Sequence, residues 1–296
     1  MFECVLVQHA SFAIRSFTLD STFVIRNSTL YPVRFLIFGD VVASVGRRAL
    51  AAVMPELRQT YRPDVVLANG ENLAHGLGMT AKTLQDVLDA GVTLLTGGNH
   101  VWDKPEGVEL LRQQDPRVIR PANYPAGAPG VGWKTLSVAG KTVLVLNLLG
   151  RVYMKDLVDC PFRTFDAILA QQETLPDITI VDYHGEVTSE RNAFGWYANP
   201  RATIVYGTHT HIPTADQRIL PGGTAFVTDV GMTGARDTVI GVDVATVIPQ
   251  FTTGIGQRFT WPESGVAWVN AIVVDADPDT HQATHIERIY REVTIA

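Results

Sequence analysis

From Val33 onward, short runs of apolar, mostly β-branched residues alternate along the chain with helix-like segments. Because these runs are apolar throughout rather than alternately polar, they predict strands of a sheet that is covered on both faces. Together with the intervening helical patterns they indicate an α/β fold. Seven runs are candidate strands: VRFLIF (33–38), DVVLA (64–68), VTLLT (92–96), TVLVLNL (142–148), DITIVD (177–182), ATIVY (202–206) and TAFVT (224–228).

Helical patterns lie between several of these strands. RRALAAVMPELRQTY (47–61) follows the first strand, and residues 161–172 form another candidate helix that opens on a proline. The segment TAKTLQDVLDAG (80–91) starts on a threonine that can cap the helix and ends on a glycine. The tail, residues 266–292, instead predicts two strands around an Asp-Pro-Asp turn.

Residues 1–32 do not share this pattern, since they show no clear period and no turn chemistry. Two interpretations stay open. The segment is an extra edge strand or loose arm, or Val33 is the true initiator and residues 1–32 do not belong to the mature protein. We therefore divide the chain into an N-terminal extension, 1–32, and one domain, 33–296.

Composition narrows the function classes. The chain has 296 residues, of which 46% are hydrophobic, and a formal net charge of -6. An acidic balance argues against a protein that coats nucleic acid, so we expect no stable nucleic-acid complex. Two cysteines are too few for a disulfide framework or a Cys-rich zinc site and favour a reducing compartment. No apolar run has the length of a membrane span, and the N-terminus does not resemble a secretory signal. We expect a cytoplasmic protein without a membrane partner, and homo-oligomerisation is left open.

The chemically useful residues collect where the predicted strands end. In open α/β sheets the carboxyl ends of the strands line the ligand crevice, so these residues are expected at one rim. Five strands contribute them, as Gly39-Asp40, Asn69-Gly70-Glu71-Asn72, Gly97-Gly98-Asn99-His100, Asp182-Tyr183-His184 and Gly207-Thr208-His209-Thr210-His211.

Each of these groups has a structural alternative when taken alone. Asp40 could cap a helix, Glu71 and Asn72 could be ordinary turn residues, and His184 could be a hydrogen-bonded structural histidine. Two histidines at alternate positions, as in the THTH string, face the same site only if the backbone bends. Taken together, mixed carboxylate, amide and imidazole ligands suit iron, manganese or zinc. Two such ions roughly 3.5–4 Å apart can promote displacement at phosphorus.

The order of the motifs GD, GEN, GNH, a lone His and GTHTH resembles the calcineurin-like metallophosphoesterase superfamily. Two departures stand out: the first motif, Asp40-Val41-Val42, lacks the usual histidine, and Glu71-Asn72 stands where an aspartate is usual. Both departures match the bacterial YmdB-like phosphodiesterases. The resemblance covers nearly all of residues 33–290 and includes the strings FGDVV, ANGEN, GNHVWDK, TSERNAFGWY and GTHTHIPTAD.

This resemblance implies a four-layer αββα sandwich, in which two mixed β-sheets are flanked by helices, and a dinuclear iron or manganese centre. It implies hydrolysis of small cyclic nucleotides, of the 2′,3′-cyclic nucleotide 2′-phosphodiesterase type, by a metal-bridging hydroxide. Carried over by motif, the first ion would take Asp40, Asn72 and His211, the second Asn99, His184 and His209, and Glu71 would bridge both. His100 would have no metal and would act as general acid.

Three alternatives remain at this stage. The same centre could serve a phosphomonoesterase or a nuclease, or the protein could be regulatory with incidental catalysis, although an intact ligand set argues against the last.

Asp229 could support the ligands from behind or form a structural turn. Asn123, Arg151 and Tyr153 could contact substrate, but their sequence positions do not place them.

Overall fold

The structure, a computed structural model, describes residues 32–296, so both interpretations of the N-terminal extension concern residues outside the described part of the chain. The strands are β1 (Val33–Asp40), β2 (Val65–Asn69), β3 (Leu94–Thr96), β4 (Trp133–Val138), β5 (Lys141–Leu149), β6 (Ile178–His184), β7 (Ile204–Thr208), β8 (Arg218–Ile219), β9 (Ala225–Val227), β10 (Gly234–Ala235), β11 (Gly265–Asp277) and β12 (Gln282–Ile295). The helices are α1 (Ala43–Tyr61), α2 (Ala81–Asp89), α3 (Pro105–Arg112), α4 (Pro161–Ala170), α5 (Thr188–Ala198) and α6 (Val244–Thr253).

The strands form two six-stranded sheets. The first has the order β10-β11-β1-β2-β3, with β12 paired to β11, and the second has the order β4-β5-β6-β7-β9-β8. In the first sheet β1, β2 and β3 are parallel, whereas β11 runs antiparallel to β1. In the second, β5, β6, β7 and β9 are parallel and the edge strands β4 and β8 are antiparallel to their neighbours. Both sheets are therefore mixed, as the family resemblance predicted.

Three apolar cores explain the layering. One core lies between the sheets and joins Phe35 and Ile37 of β1 to Val145 of β5 and Ile180 of β6. A second packs α1 and α2 on the outer face of the first sheet. A third packs α4 and α5 on the outer face of the second sheet. The predicted order of helices, sheet, sheet and helices is confirmed.

Local sequence accounts for where the helices begin and which of their sides is buried against a sheet. Thr80 caps α2, accepting a hydrogen bond from the backbone of Thr83 at 3.3 Å, and Pro161 occupies the first turn of α4, where its missing N–H costs nothing. The helix α1 begins at Ala43, four residues earlier than its pattern predicted, and buries Leu50 and Leu57 against the first sheet. The tail forms the predicted hairpin β11–β12.

Within residues 32–296, no helix has both the length and the apolar character required to cross a membrane.

Candidate metal centre

The layer between the sheets changes from aliphatic to polar at the carboxyl ends of the parallel strands. Side chains two apart on a strand share a face, so the inward face of β6 reads Ile178, Ile180, Asp182 and His184. The other strands change in the same way, and the polar side chains in this layer are all buried: Asn69 on β2, Thr96 on β3, Asn147 on β5, Asp182 and His184 on β6 and Thr208 on β7. The candidate site therefore lies at this end of the sandwich.

A β-bulge aims Asp40 at this layer. The register between β1 and β2 shifts between Phe38 and Asp40, so that Asp40 rather than Gly39 stands beside Asn69. Without the shift, alternation from Ile37 would turn Gly39 inward and Asp40 away. The bulge also requires glycine, because a Cβ at position 39 would lie 2.0 Å from the carbonyl oxygen of Gly231.

Hydrogen bonds determine which nitrogen of His184 faces the site. His184 Nδ1 lies 2.9 Å from the hydroxyl oxygen of Thr208, and that hydroxyl donates to Asp182 at 2.6 Å. Because the hydroxyl proton of Thr208 is used by Asp182, its oxygen accepts from Nδ1–H of His184. In the neutral imidazole, Nε2 then carries the lone pair.

Several acceptors converge on this nitrogen. The amide oxygen of Asn99 and Nδ1 of His209 each lie 3.0 Å from His184 Nε2, and Oε1 of Glu71 lies 3.3 Å from it. His209 contacts Glu186 through Nε2 at 3.0 Å, which leaves its own Nδ1 as a lone pair. Four electron-pair donors facing one another are stable only around a positive charge. This donor set fits a metal ion, and the histidine–carboxylate contact behind it is usual for metal ligands.

A second group of side-chain atoms that could bind a metal ion lies beside the first. The amide nitrogen of Asn72 donates to Gly76 O, which turns the amide oxygen towards His211 Nε2 at 3.3 Å. His211 Nδ1 lies 2.8 Å from Ile240 O and therefore donates, leaving Nε2 as an acceptor. Oδ1 of Asp40 is buried and has no hydrogen-bond partner among the described residues. A buried carboxylate oxygen without a partner is costly, which also fits a bound cation.

A bent backbone brings the two histidines of the THTH string to one site. His209 has a φ of 109° and His211 a φ of 67°, values that side-chain-bearing residues rarely adopt. Asp40 accepts from the backbone N–H of His209 at 3.0 Å. Asp229 accepts from both the N–H and the hydroxyl of Thr210, at 3.2 and 2.7 Å, and is paired with the buried Arg191. Of its two interpretations, Asp229 therefore takes a supporting one, behind the bend.

The charges of the site favour a positive charge at His184. Burial lowers the pKa of His184, but Glu71, Asp40 and Asp182 outweigh burial and raise it to about 9. Burial raises the pKa of Glu71, but His184 and the N–H of His100 lower it below its ordinary value. Burial, followed by the charge of His184, lowers the pKa of His209 to about 3. In the metal-free protein a proton on His184 balances the carboxylates, and a metal ion would replace it.

Gly98 allows the loop after β3 to approach the cluster. A Cβ at this position would lie 2.1 Å from Oε2 of Glu71 and 2.5 Å from Nε2 of His184. Any side chain here would displace Glu71, His184 or both. The glycine is thus a direct requirement of the donor arrangement.

His100 lies at the rim of the same site. Its backbone N–H donates to Glu71 at 3.0 Å, and its Nδ1 lies 2.7 Å from Asp103 Oδ2. The side chain is 30% exposed. Its Nε2 has no hydrogen-bond partner among residues 32–296, so this nitrogen is free to meet a substrate.

The eight residues singled out from the sequence lie together at the carboxyl ends of the strands, and Glu71, His184 and His209 have ligand atoms within 4.8 Å of one another. Four further residues position these side chains and had been given no role from the sequence: Asn69, Asp182, Thr208 and Glu186. The first three could have been found by extending the inward face of each strand at a period of two. Glu186 carries no such signal.

The structure gives different surroundings to Asn123, Arg151 and Tyr153, the three residues that the sequence did not place. Asn123 is buried and bonds to Leu149 on both its amide atoms, which is a structural role. Arg151 follows β5 and is exposed, and Tyr153 is 86% exposed.

Comparison with known sequences identifies related proteins over most of the chain. The profile of a family described as YmdB-like protein matches residues 36–289. A protein of Bacillus subtilis (strain 168) named 2′,3′-cyclic-nucleotide 2′-phosphodiesterase is 43% identical over 257 residues, which are 87% of this chain and 96% of that protein.

Comparison with solved structures gives the same fold. A crystal structure of a hypothetical protein from Thermus thermophilus has a TM-score of 0.82 and 39% identity, covering 88% of this chain and 99% of its own. One described as a novel phosphatase from Mycoplasma pneumoniae has a TM-score of 0.84 and 31% identity, covering 89% of this chain and 95% of its own.

Proposed function

The chain belongs to the YmdB-like protein family, and from this premise we propose that it is a metal-dependent phosphodiesterase that opens small 2′,3′-cyclic nucleotides. The bond broken is the one between phosphorus and the 2′-oxygen, and the product is the 3′-phosphomonoester. The name of the Bacillus subtilis relative supports the reaction, and the phosphatase description of the Mycoplasma pneumoniae structure supports phosphoester chemistry in general.

One observation carries the proposal. Glu71, Asn99 and His209 present acceptors to the lone-pair nitrogen of His184, with every distance between 3.0 and 3.3 Å. Such an arrangement needs a positive charge, which a proton on His184 supplies in the metal-free protein and a metal ion would replace. Its mixed oxygen and nitrogen ligand atoms are those that iron or manganese accept. We propose that two such ions bind.

The residues divide between the two ions as the family motifs imply. Asp40, Asn72 and His211 would hold one ion, and Asn99, His184 and His209 the other. Glu71 lies against His184 and precedes Asn72 in the chain, and we assign it to both ions. When bound, the ions would supply an activated water and neutralise the charge that builds on the phosphoryl oxygens.

His100 is proposed to protonate the leaving 2′-oxygen. Asp103 accepts from Nδ1, which fixes the ring and leaves Nε2 as the atom that exchanges a proton with substrate. The N–H of His100 holds Glu71, so the proton donor and the proposed bridging carboxylate keep a fixed relation. For the reaction to balance, the proton that His100 gives to the 2′-oxygen is recovered from the attacking water.

Metal content and turnover of one preparation test the proposal. Purified protein, reconstituted with manganese or iron, should contain about two ions per chain and convert 2′,3′-cAMP to 3′-AMP. Formation of 2′-AMP, or turnover without metal, would contradict the proposed bond cleavage or the metal requirement.

A phosphomonoesterase or nuclease on the same centre is the alternative that the phosphatase description of the relative favours. Parallel assays with p-nitrophenyl phosphate and with an uncyclised oligonucleotide decide between them. We expect 2′,3′-cAMP to have the highest kcat/KM of the three.

A further inference from the structure

A cavity lies beside the candidate metal centre and shares its loops. It has a volume of roughly 610 Å³. Its wall includes Ala43, His75 and Lys104, which follow Asp40, Asn72 and His100 by three or four residues. Because an extended chain covers at most about 3.6 Å per residue, each wall residue lies within about 14 Å of its partner in the site.

Hydrogen bonds keep the cavity wall fixed to the centre. Asn72 accepts from Ala43 through its backbone at 2.9 Å and donates to Gly76 through its side chain at 2.9 Å. Gly76 in turn packs on the indole of Trp261, since a Cβ there would lie 2.1 Å from ring atoms. Trp261 also lines the cavity. The cavity and the metal centre are thus two parts of one rim.

The charges of the wall favour an anion. Lys104 and Arg258 line the cavity, and neither has a carboxylate within salt-bridge distance among residues 32–296. Glu263 is the one carboxylate in the described wall. Two unpaired cations are notable in a chain whose net charge is -6.

We propose that this cavity binds a second phosphate of the substrate, the 5′-phosphate of the ribose whose cyclic phosphate is opened. The inference rests on the proposed function. A cyclic mononucleotide has one phosphate, which the metal centre would take, so Lys104 and Arg258 have an anion to bind only if the substrate carries another. The aromatic rings of Phe259 and Trp261 stand beside these cations and suit the base of the preceding nucleotide. The substrate class is therefore a short ribonucleotide with a 2′,3′-cyclic phosphate end.

The test compares three substrates: adenosine 2′,3′-cyclic phosphate, the same compound with a 5′-phosphate, and the dinucleotide ApA with a 2′,3′-cyclic end. We expect kcat/KM to rise about five- to tenfold on adding the 5′-phosphate, mainly through KM, as suits two partly exposed ion pairs. The dinucleotide should gain further. In R258Q and K104Q the ratio of kcat/KM with the 5′-phosphate to kcat/KM without it should fall towards one. Turnover of the unphosphorylated compound should stay as in the wild type.

R62Q is the matched control, because Arg62 is exposed at the end of α1 and does not line the cavity. It should keep the full preference. Calorimetric binding of the products gives a readout independent of turnover: adenosine 3′,5′-bisphosphate should bind more tightly than adenosine 3′-phosphate, and R258Q should remove the difference.

Equal kcat/KM for the three substrates in the wild type would overturn the proposal and leave the proposed function intact. An equal loss on all substrates in R258Q and K104Q would overturn it too, since that is the mark of a general structural effect. No turnover of any cyclic substrate would refute the proposed function itself, and the cavity proposal with it.

Discussion

Nδ1 of His184 lies 2.9 Å from the hydroxyl of Thr208, and this contact decides which nitrogen of the imidazole faces the other candidate metal ligands. The hydroxyl of Thr208 in turn donates a hydrogen bond to Asp182 at 2.6 Å, which fixes its orientation. A buried carboxylate, a hydroxyl and a histidine thus form a chain that ends at the candidate metal centre.

Thr208→Val should weaken metal binding while the fold persists. Valine has the shape of threonine but cannot accept from His184, and loss of such a supporting contact typically costs about 10–100-fold in metal affinity. Competition with a chelator of known affinity measures the change. Thr208→Ser, which keeps the hydroxyl, should bind metal as the wild type does; equal loss in both variants would show that the hydroxyl is not the cause.

Gly98→Ala should abolish or strongly reduce metal binding. The added Cβ would meet Oε2 of Glu71 at 2.1 Å and Nε2 of His184 at 2.5 Å, so one of them must move. Metal analysis of the purified variant measures the loss. Gly127→Ala is the control, since nothing lies within 4 Å of its Cβ, and it should retain full metal content.

His100→Ala should keep both metals and lose turnover by about 10²–10⁴-fold, the usual contribution of a general acid. No metal ligand is proposed at this position, and the backbone N–H that holds Glu71 remains. Steady-state kinetics with metal analysis of the same sample separate the two effects. An emptied metal site in this variant would assign His100 to binding instead.

Metal affinity should rise with pH up to about pH 9. The pKa of His184 is lowered by burial but raised more by Glu71 and other carboxylates, to about 9, so near neutral pH the metal must displace a proton. His184 holds this proton below its pKa and loses it above. Metal affinity should therefore rise about tenfold per pH unit and level off near pH 9. Calorimetry in buffers of different ionisation enthalpy counts the released proton. A pH-independent affinity from pH 6 to 9 would contradict the protonated state.

Arg191→Leu should destabilise the fold by about 3–5 kcal/mol, because it leaves Asp229 charged and unpaired in the interior. The side chains of this pair are 2% and 0% exposed. Urea unfolding measures the change in free energy. Arg112→Leu removes an ion pair whose side chains are 62% and 49% exposed and should leave the unfolding midpoint nearly unchanged.

The sequence by itself determined the order of the core strands and which residues stand at their ends. Parallel strands that are buried on both faces must be nearly continuous apolar runs, so β1, β2, β3, β5, β6, β7 and β9 were recognisable without the fold. The carboxyl ends of such strands share an edge, and this property placed Asp40, His184 and His209 at one rim. The motif order then indicated the family.

Only the tertiary structure decided how these side chains are aimed. Asp40 turns inward because of a bulge, and the THTH string bends because Asp229, itself paired with Arg191, holds Thr210 from behind. These contacts join residues far apart in the chain, whereas sequence periodicity carries information over only a few residues. The same holds for the cavity, whose wall joins the first turn of α1 and the loops after β2 and β3 to the segment after α6. Strand ends are where local rules stop fixing side-chain direction, and there the packing of other elements decides it.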